Sequence, residues 1–387
     1  MREAIIGTTR RAALAGLAAA GAAGPASAAE RCRGRADYAG AALHASPPPE
    51  VFAQAATPAT GAFPAEPVQA LDAAFADVAA RLKTDTLTAA LVRPGGGAWS
   101  SVKTAEAAAP DRFFWASAGK AFTAVVVLQL VAEGRLSLAD RLDRWDRDFP
   151  NSGLITVDDL LRHTSGLYSF QEDPGLRAKP GWKTPAQALD VARRGPAGFC
   201  PGGSWAYSNT GYVLLGRIIE AVDGRPYAAS ITARIIEPLG LKRTVAIGPD
   251  GVPADIPRPA SGDGSSDDLR TPFAAGAVAA SAPDMIAFWQ GLFGGRLIPI
   301  EVVRGQFERL YPMFGQTGLF YGRGVMLYDL PGQAAGESEL WLGHSGGMPG
   351  LKAVVAYSLR RRAWVAVAFL GDGPAEAAAN LLLRAAS

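Results

Sequence analysis

The stretch that decides the fold is Ser117-Ala-Gly-Lys120, followed by Ala121-Phe-Thr-Ala-Val-Val-Val-Leu-Gln-Leu-Val-Ala132. The second part is apolar almost all round, which predicts a buried helix. Residues i and i+3 share one face of a helix, so the Lys120 amine can reach the Ser117 hydroxyl. Burial would lower the pKa of Lys120, and a neutral amine beside a serine can activate it as a nucleophile. The stretch therefore predicts a reactive serine at the start of a core helix.

A second copy of the same spacing, Ser100-Ser-Val-Lys103, has a different context. It follows Pro94-Gly-Gly-Gly97, and the flanking residues from Leu87 to Lys103 indicate two strands around a turn. In a strand, side chains three positions apart point to opposite faces. Ser100 and Lys103 are therefore not expected to meet.

Two further motifs lie downstream. Tyr207-Ser-Asn209 follows a turn-rich segment and precedes an apolar helical pattern that starts at Gly211. His344-Ser-Gly346 comes at the end of a strand pattern, Glu339-Leu-Trp-Leu-Gly343. A tyrosine, an amide and an imidazole are groups that can move protons or hold a substrate.

The ordered set of motifs resembles the penicillin-recognising serine hydrolases, in particular their class C β-lactamase and esterase branch. The linking segments agree with that branch: Leu160–Leu167, Cys200–Tyr212 and Gly343–Gly350. The resemblance runs from about Val68 to the C-terminus. It implies an α/β (α+β) fold, in which an antiparallel sheet flanked by helices carries an inserted all-helical domain.

The resemblance also implies roles for the motif residues. Ser117 would attack a carbonyl and Lys120 would be its base, while Tyr207, as a phenolate stabilised by the ammonium, would carry the proton to the leaving group. Asn209 would orient Lys120 and the substrate. The backbone N–H groups of Ser117 and Gly347 would form the oxyanion hole. The structural alternatives are a helix-capping serine, a surface lysine, a core tyrosine and a turn asparagine.

His344 and Gly346 are expected to bind substrate, and His344 departs from the β-lactamase pattern, which has lysine there. An unperturbed histidine, with a pKa of about 6.5, is mostly neutral at pH 7 and supplies little fixed charge. We therefore expect simple esters to outperform penicillins, with a pH dependence around pH 6–7 for anionic substrates. The expected activity is a carboxylesterase or a D-amino-acid or cell-wall-type peptidase. A β-lactamase is an alternative, and a receptor or sensor that traps acyl groups without turnover is an alternative of another class.

The first residues predict export. Arg10-Arg11 precede a weakly apolar run, and Pro25-Ala-Ser-Ala28 offers a cleavage site, so residues 1–28 read as a twin-arginine-like or general secretory signal. The run is too short for a stable membrane anchor. The expected location is periplasmic or secreted.

Composition excludes some classes of partner. The chain has 387 residues, a net charge of +2 and 19% charged residues, and removal of residues 1–28 brings it close to neutral. Such a chain lacks the excess of positive charge that binding to nucleic acid or to an anionic membrane requires. The histidines and cysteines show no metal-ligand spacing, so neither metal nor cofactor is expected, and the partner is a small-molecule or peptide substrate. The oligomeric state stays open.

The chain contains two cysteines and three histidines. A disulfide between Cys32 and Cys200 is possible in an oxidising compartment, but Cys32 lies in a low-complexity segment, which favours unpaired cysteines. The sequence leaves the pairing open. His163 is expected to be a buried scaffold histidine, and His44 has no expected role.

The predicted organisation has three parts. Residues 1–28 are the signal, residues 29–66 are an Ala/Pro-rich tether, and residues 67–387 are the catalytic domain. Within the catalytic domain, the α/β part covers about 67–115 and 275–387 and the helical part about 116–274. Helices are predicted from Ala282 to Phe293 and from Pro374 onward. Near the C-terminus, strands are predicted at Leu319 to Tyr328, Glu339 to Gly343, Leu351 to Ser358 and Ala363 to Leu370. With the two strands between Leu87 and Lys103, they predict that the N- and C-terminal parts share one sheet, with the site in the cleft beside the helical part.

Overall fold

The computed structural model describes residues 32–104, 112–179, 181–259, 268–331 and 338–386. The expected signal, residues 1–28, lies outside the described residues. The helices are α1 (Glu50–Ala56), α2 (Ala65–Leu82), α3 (Lys120–Ala132), α4 (Val157–Arg162), α5 (Pro174–Arg177), α6 (Pro185–Arg194), α7 (Asn209–Asp223), α8 (Tyr227–Ile231), α9 (Glu237–Leu239), α10 (Ala282–Phe293), α11 (Ile300–Gln306) and α12 (Ala375–Ala385).

The strands form two sheets in the described part of the chain. They are β1 (Gly61–Ala62), β2 (Leu87–Val92), β3 (Gly97–Lys103), β4 (Phe113–Phe114), β5 (Thr244–Ala246), β6 (Val278–Ala280), β7 (Tyr311–Pro312), β8 (Leu319–Tyr321), β9 (Met326–Pro331), β10 (Ser338–Met348), β11 (Leu351–Ser358) and β12 (Ala363–Leu370). The nine-stranded sheet has the order β1-β3-β2-β12-β11-β10-β9-β8-β7, and the three-stranded sheet has the order β4-β6-β5.

The large sheet joins the two ends of the chain. β2 pairs antiparallel with β12, with Ala90 opposite Ala366, whereas the short β1 pairs in parallel with β3. The predicted sharing of one sheet by the N- and C-terminal parts is confirmed. β11 and β12 are buried along almost their whole length, because helices cover both faces of the sheet.

Helix α3 is the centre of the molecule. Every residue from Lys120 to Leu128 is buried, as its all-round apolar sequence predicts. The ring of Phe122 stacks on Phe288 of α10, with 3.8 Å between ring centroids. The helices from α3 to α9 lie between β4 and β6 in the sequence, which is the helical insertion that the fold prediction required. β5 is a strand within the segment expected to be all helical.

Residues 32–66 differ from the expected tether. Helix α1 buries Val51, Phe52 and Ala55. The ring of Phe52 packs edge-on against Phe293, 5.0 Å between centroids, so this segment belongs to the main core. Helix α1 was not predicted because the segment has a low-complexity composition, in which the few large apolar residues that anchor the helix are widely spaced.

The two cysteines are paired. Cys32 and Cys200 form a disulfide with 5.7 Å between their Cα atoms, across a separation of 168 residues. The preference for unpaired cysteines was wrong because residues 32–39 lie along the loop that carries Cys200. The backbone N–H groups of Ala36 and Ala39 donate to the carbonyls of Pro201 and Gly203, each at 3.0 Å.

The C-terminal elements match their predictions closely, with two differences. The strand expected from Leu319 to Tyr328 is split into β8 and β9 by a turn in which Gly324 has φ +71°. The strand expected to end at Gly343 continues through the His-Ser-Gly motif to Met348. That motif therefore lies within the strand and not at its end.

Candidate active site

Ser117 lies in a single 3-10 turn, Ala116–Gly119, that leads directly into α3. Lys120 is the first residue of the α-helix and its side chain is fully buried. The Lys120 Nζ and Ser117 Oγ atoms are 3.0 Å apart. The predicted contact between the two side chains is therefore present, made by the 3-10 turn instead of a full α-helical turn.

The second serine–lysine spacing makes no such contact. Ser100 is exposed on β3, and the Lys103 ammonium donates to the carbonyl of Thr84 and pairs with Asp85. The exclusion of Ser100 is confirmed by the alternation of side chains along the strand.

Lys120 has two further hydrogen-bond partners, and both are acceptors. Its Nζ donates to Asn209 Oδ1 and to the carbonyl of Ala275, each at 2.7 Å. Burial lowers the pKa of the Lys120 amine well below its ordinary value. A neutral amine has two hydrogens and one lone pair, so both hydrogens go to these acceptors and the lone pair is left for the Ser117 hydroxyl.

Tyr207 lies immediately before α7, and its hydroxyl donates to Ser117 Oγ at 2.8 Å. Its ring packs against His163, 4.4 Å between centroids, and the Lys120 Nζ lies 4.9 Å from its ring centre. Burial raises the pKa of Tyr207 above its ordinary value, while the hydrogen bond to Ser117 acts in the opposite direction. Burial therefore favours a neutral phenol over the expected phenolate in the free site.

Asn209 is the first residue of α7 and is buried. Its Oδ1 accepts from Lys120 and its Nδ2 donates to Gln171 Oε1. The amide thereby fixes the position of the lysine, as expected, and also lies in the wall of the cavity in front of Ser117.

His344 occupies a different place from the expected one. It is 1% exposed and lies outside the cavity, with its Nε2 3.2 Å from the hydroxyl of Tyr321. Burial, with a smaller effect of the Lys120 charge, lowers the pKa of His344 to about 3. The expected contact with substrate and the expected titration around pH 6–7 are both wrong, because β8 places Tyr321 over the imidazole.

Gly346 has a steric function instead of a substrate contact. A Cβ atom there would lie 2.0 Å from the carbonyl oxygen of Trp115 and 2.9 Å from the backbone nitrogen of Ser117. Only glycine lets β10 approach the nucleophile turn so closely. The next residue, Gly347, lines the cavity together with Ser117.

His163 is buried, as expected, but it also borders the reactive group. It has φ 63° at the C-terminal end of α4, and its Nδ1 accepts from the N–H of Ser208 at 3.2 Å. Burial, followed by the Lys120 charge, lowers the pKa of His163 well below its ordinary value. Its ring contacts Tyr207, Tyr212 and Tyr321, so it holds the tyrosine beside Ser117 in a packed aromatic cluster.

The cavity in front of Ser117 has a volume of about 400 Å³. Sequence reasoning missed several of its residues: Phe114, Phe170, Gln171, Leu176, Arg177, Lys183, Asp268, Thr271, Ala275 and Met348. They come from loops, short helical turns and strands, where no local pattern marks a side chain as part of a site.

The described residues lack two kinds of feature. They contain no group of three or more His, Cys, Asp or Glu side chains placed to hold a metal ion. No helix among them combines the length and apolarity needed to cross a bilayer.

Comparison with known proteins supplies the family. Residues 71–387 match the family model described as Beta-lactamase. The chain is 30% identical over 268 residues to Penicillin-binding protein 4* of Bacillus subtilis (strain 168), covering 63% of this chain and 57% of that protein. It is 35% identical over 146 residues to Esterase EstB of Burkholderia gladioli, covering 34% of this chain and 37% of the esterase. The chain thus spans little more than half the length of the first relative.

A solved structure matches over nearly its full length. The D-stereospecific amidohydrolase from Streptomyces sp. superposes with a TM-score of 0.67 at 29% identity, covering 82% of this chain and 98% of that one. The sheet order and the serine–lysine–tyrosine cluster agree with the family match over most of the sequence, and the predicted fold is confirmed. The chain belongs to the Beta-lactamase family.

Proposed function

We propose that this protein is an exported serine hydrolase that cleaves an ester or amide through an acyl-enzyme on Ser117. One observation carries the proposal. The Ser117 oxygen is within hydrogen-bond distance of both a buried amine, Lys120 Nζ at 3.0 Å, and a phenol, Tyr207 Oη at 2.8 Å. A base and an acid on one hydroxyl are what acyl transfer requires.

In acylation, the lone pair of Lys120 takes the Ser117 proton as the oxygen attacks the substrate carbonyl. Tyr207 then donates its hydroxyl proton to the leaving group as the carbonyl–leaving-group bond breaks. The resulting phenolate is stabilised by the new ammonium beside its ring. Transfer of a proton from Lys120 to Tyr207 restores both neutral groups. In deacylation, water takes the place of the leaving group and the same two residues carry its proton in reverse.

The developing oxyanion needs donors on the far side of the carbonyl. The backbone N–H groups of Ser117 and Gly347 are the candidates, since both residues line the cavity and Gly346 brings β10 against the nucleophile turn. Preorganised backbone donors of this kind contribute on the order of 3 kcal/mol each to the transition state.

The substrate class that we favour is a simple ester or an amide or peptide, as in a carboxylesterase or a D-amino-acid or cell-wall-type peptidase. The relatives include a penicillin-binding protein, an esterase and a D-stereospecific amidohydrolase. β-Lactam hydrolysis ranks lower, because His344 is buried and presents no cation to the cavity.

A set of substrates tests the function. p-Nitrophenyl esters, D-amino-acid amides and nitrocefin are assayed with the wild type, Ser117→Ala and the matched control Ser100→Ala. We expect turnover of esters or amides, its loss in Ser117→Ala, and little change in Ser100→Ala. Mass spectrometry after a fluorophosphonate probe should place the label on Ser117. A label elsewhere contradicts the proposal, and a burst without steady turnover would identify an acyl-trapping receptor.

Export is the second part of the proposal. It rests on the signal pattern of residues 1–28 and is supported by the disulfide, a bond that persists in oxidising compartments. Mass analysis of the protein from cell fractions should find a mature chain that starts at Ala29 outside the cytoplasm. A cytoplasmic protein that retains residues 1–28 would refute this.

A further inference from the structure

Lys183 lines the same cavity as Ser117. The residue is only 7% exposed, yet among the described residues no carboxylate pairs with its ammonium. An ammonium that lines a cavity without a carboxylate partner can pair with an anionic group of a bound molecule, and hydrogen bonds between ionised groups are stronger than those between neutral ones. Here the cavity is the place from which a partner can come.

The position of Lys183 is fixed from both sides. Its backbone N–H donates to Thr271 Oγ1 at 3.2 Å, and Thr271 also lines the cavity. The next residue, Thr184, starts α6 with a capping box that includes Gln187. The preceding Trp182 ring holds the Arg270 guanidinium at 4.4 Å. The backbone of Lys183 is therefore held in place by its neighbours and does not belong to a loose surface loop.

The charges around this wall do not cancel. Arg177 also lines the cavity and, within the described ranges, forms no ion pair. Asp268 is the carboxylate among the described lining residues, and Arg270 takes both of its oxygens, at 2.9 and 2.6 Å. The hydrogen bonds from Arg270 lower the pKa of Asp268. Within the part of the chain that the structure describes, Lys183 and Arg177 therefore have no carboxylate partner.

The wall that carries Arg177 continues from Asn209, the residue expected to orient the substrate, because Asn209 Nδ2 donates to Gln171 Oε1 and the segment that contains Gln171 leads into α5. Tyr207, which must face the leaving group, packs against Trp205 and Phe314, and neither of these lines the cavity. The part of the wall that carries Lys183 and Arg177 also contains apolar side chains, such as Leu176, that suit a hydrocarbon chain.

We propose that Lys183 and Arg177 form a subsite that binds a carboxylate at the far end of the acyl group. The proposal rests on the acyl-enzyme function of Ser117 and names its substrate class: esters or amides of an acyl chain that ends in a carboxylate. The carboxylate of the substrate would thereby be bound by residues of the helical part of the protein, and not by His344.

A matched pair of substrates tests the subsite. The p-nitrophenyl monoester of adipic acid is compared with the ester in which a carboxamide replaces the free carboxylate, so that only the charge differs. We expect the wild type to prefer the carboxylate in kcat/KM, and this preference to fall about tenfold in Lys183→Met. That change corresponds to about 1.4 kcal/mol, within the range of a hydrogen bond to a charged group. Arg177→Gln should lower it by a smaller factor, because Arg177 is exposed.

The controls separate this proposal from the proposed function. Lys179→Met removes an exposed lysine of the same segment, outside the cavity, and should leave the preference unchanged. Lys183→Arg should keep much of the preference by retaining the charge. If Lys183→Met does not fold, the preference of Arg177→Gln for the carboxylate ester still tests the subsite. Equal preference in the wild type and both charge-removing variants overturns the subsite, whereas absence of hydrolysis of either ester by the wild type refutes the function itself.

Discussion

The hydroxyl of Tyr207 can be removed without emptying its packed site. Tyr207→Phe keeps the ring against His163 but loses the proton donor to Ser117. We expect kcat to fall by about 10² to 10⁴, the usual contribution of general acid–base catalysis. Combined with a Lys120 substitution, the loss should be far from additive, because the two groups act as one unit. Steady-state kinetics on an activated ester measures both effects.

The control is Tyr357→Phe, a buried tyrosine on β11 that packs against Trp364, away from the site. It should retain near-normal turnover. Near-normal turnover in Tyr207→Phe would show that another group carries the proton.

The pH dependence should follow Lys120 and not His344. The reactive form of Lys120 is the neutral amine, so activity should be lost as pH falls through its lowered pKa and be regained as pH rises. His344, with a pKa of about 3, stays neutral above pH 5. The kcat/KM profile of a neutral ester between pH 5.5 and 8 should therefore have the same shape in the wild type and in His344→Gln. A step near pH 6.5 that disappears in this variant would contradict the assignment.

Residue by residue, the sequence predicted the reactive cluster better than the substrate contacts. Ser117 and Lys120 meet because their spacing is local, and Asn209 reaches the lysine at 2.7 Å from the start of a helix that was itself predicted. The burial of His344 depends on Tyr321 from another strand. No local pattern encodes that contact, and for the same reason Lys183 carried no signal.

At the scale of elements, α4 depends on one carboxylate. Asp159 is 3% exposed and accepts from the backbone and hydroxyl of Thr156, at 2.8 and 2.7 Å, and from the hydroxyl of Thr164 at 2.9 Å. It also pairs with Arg35 from the N-terminal segment. We expect Asp159→Asn to lower the free energy of unfolding by about 2–3 kcal/mol, since charged hydrogen bonds in a buried site are lost. Urea denaturation measures the change.

Asp77→Asn is the comparison, because Asp77 forms an exposed pair with Arg81 within one helix. Its cost should stay below about 0.5 kcal/mol. Equal costs for the two substitutions would mean that the contacts of Asp159 contribute nothing beyond a surface ion pair.

Elements with strong patterns were predicted almost to the residue. β11, β12 and α10 have the predicted bounds, because continuous apolar runs bounded by turn residues are characteristic of buried strands and helices. α1 was not predicted. Its seven residues are stabilised by contacts of Phe52 with aromatic rings far away in the sequence, and not by their own helix propensity.

At the scale of the whole molecule, the disulfide closes a very long loop. Reduction of Cys32–Cys200 should lower the free energy of unfolding by about 2–5 kcal/mol, because the unfolded chain regains the freedom that the bond removes. The urea midpoint with and without dithiothreitol measures this, and Cys32→Ser should show no response to the reductant. An unchanged midpoint in the reduced wild type would show that the hydrogen bonds of residues 36–39 suffice.

The pairing could not be read from the sequence. Two cysteines separated by 168 residues meet only because the N-terminal segment runs beside the loop before Tyr207. The overall architecture was predictable, since it follows from the order of strands and helices and from the motif set.

The pairing of β2 with β12 also determines when the large sheet can form during synthesis. β2 leaves the ribosome long before its partner β12, so the contact between them has a very high contact order. Until Ala363–Leu370 emerges, β2 exposes an unpaired edge that can associate with other chains. A nascent chain that stops before Ala363 would contain the serine, the lysine and the tyrosine, yet it would lack the strand that joins the two halves of the enzyme.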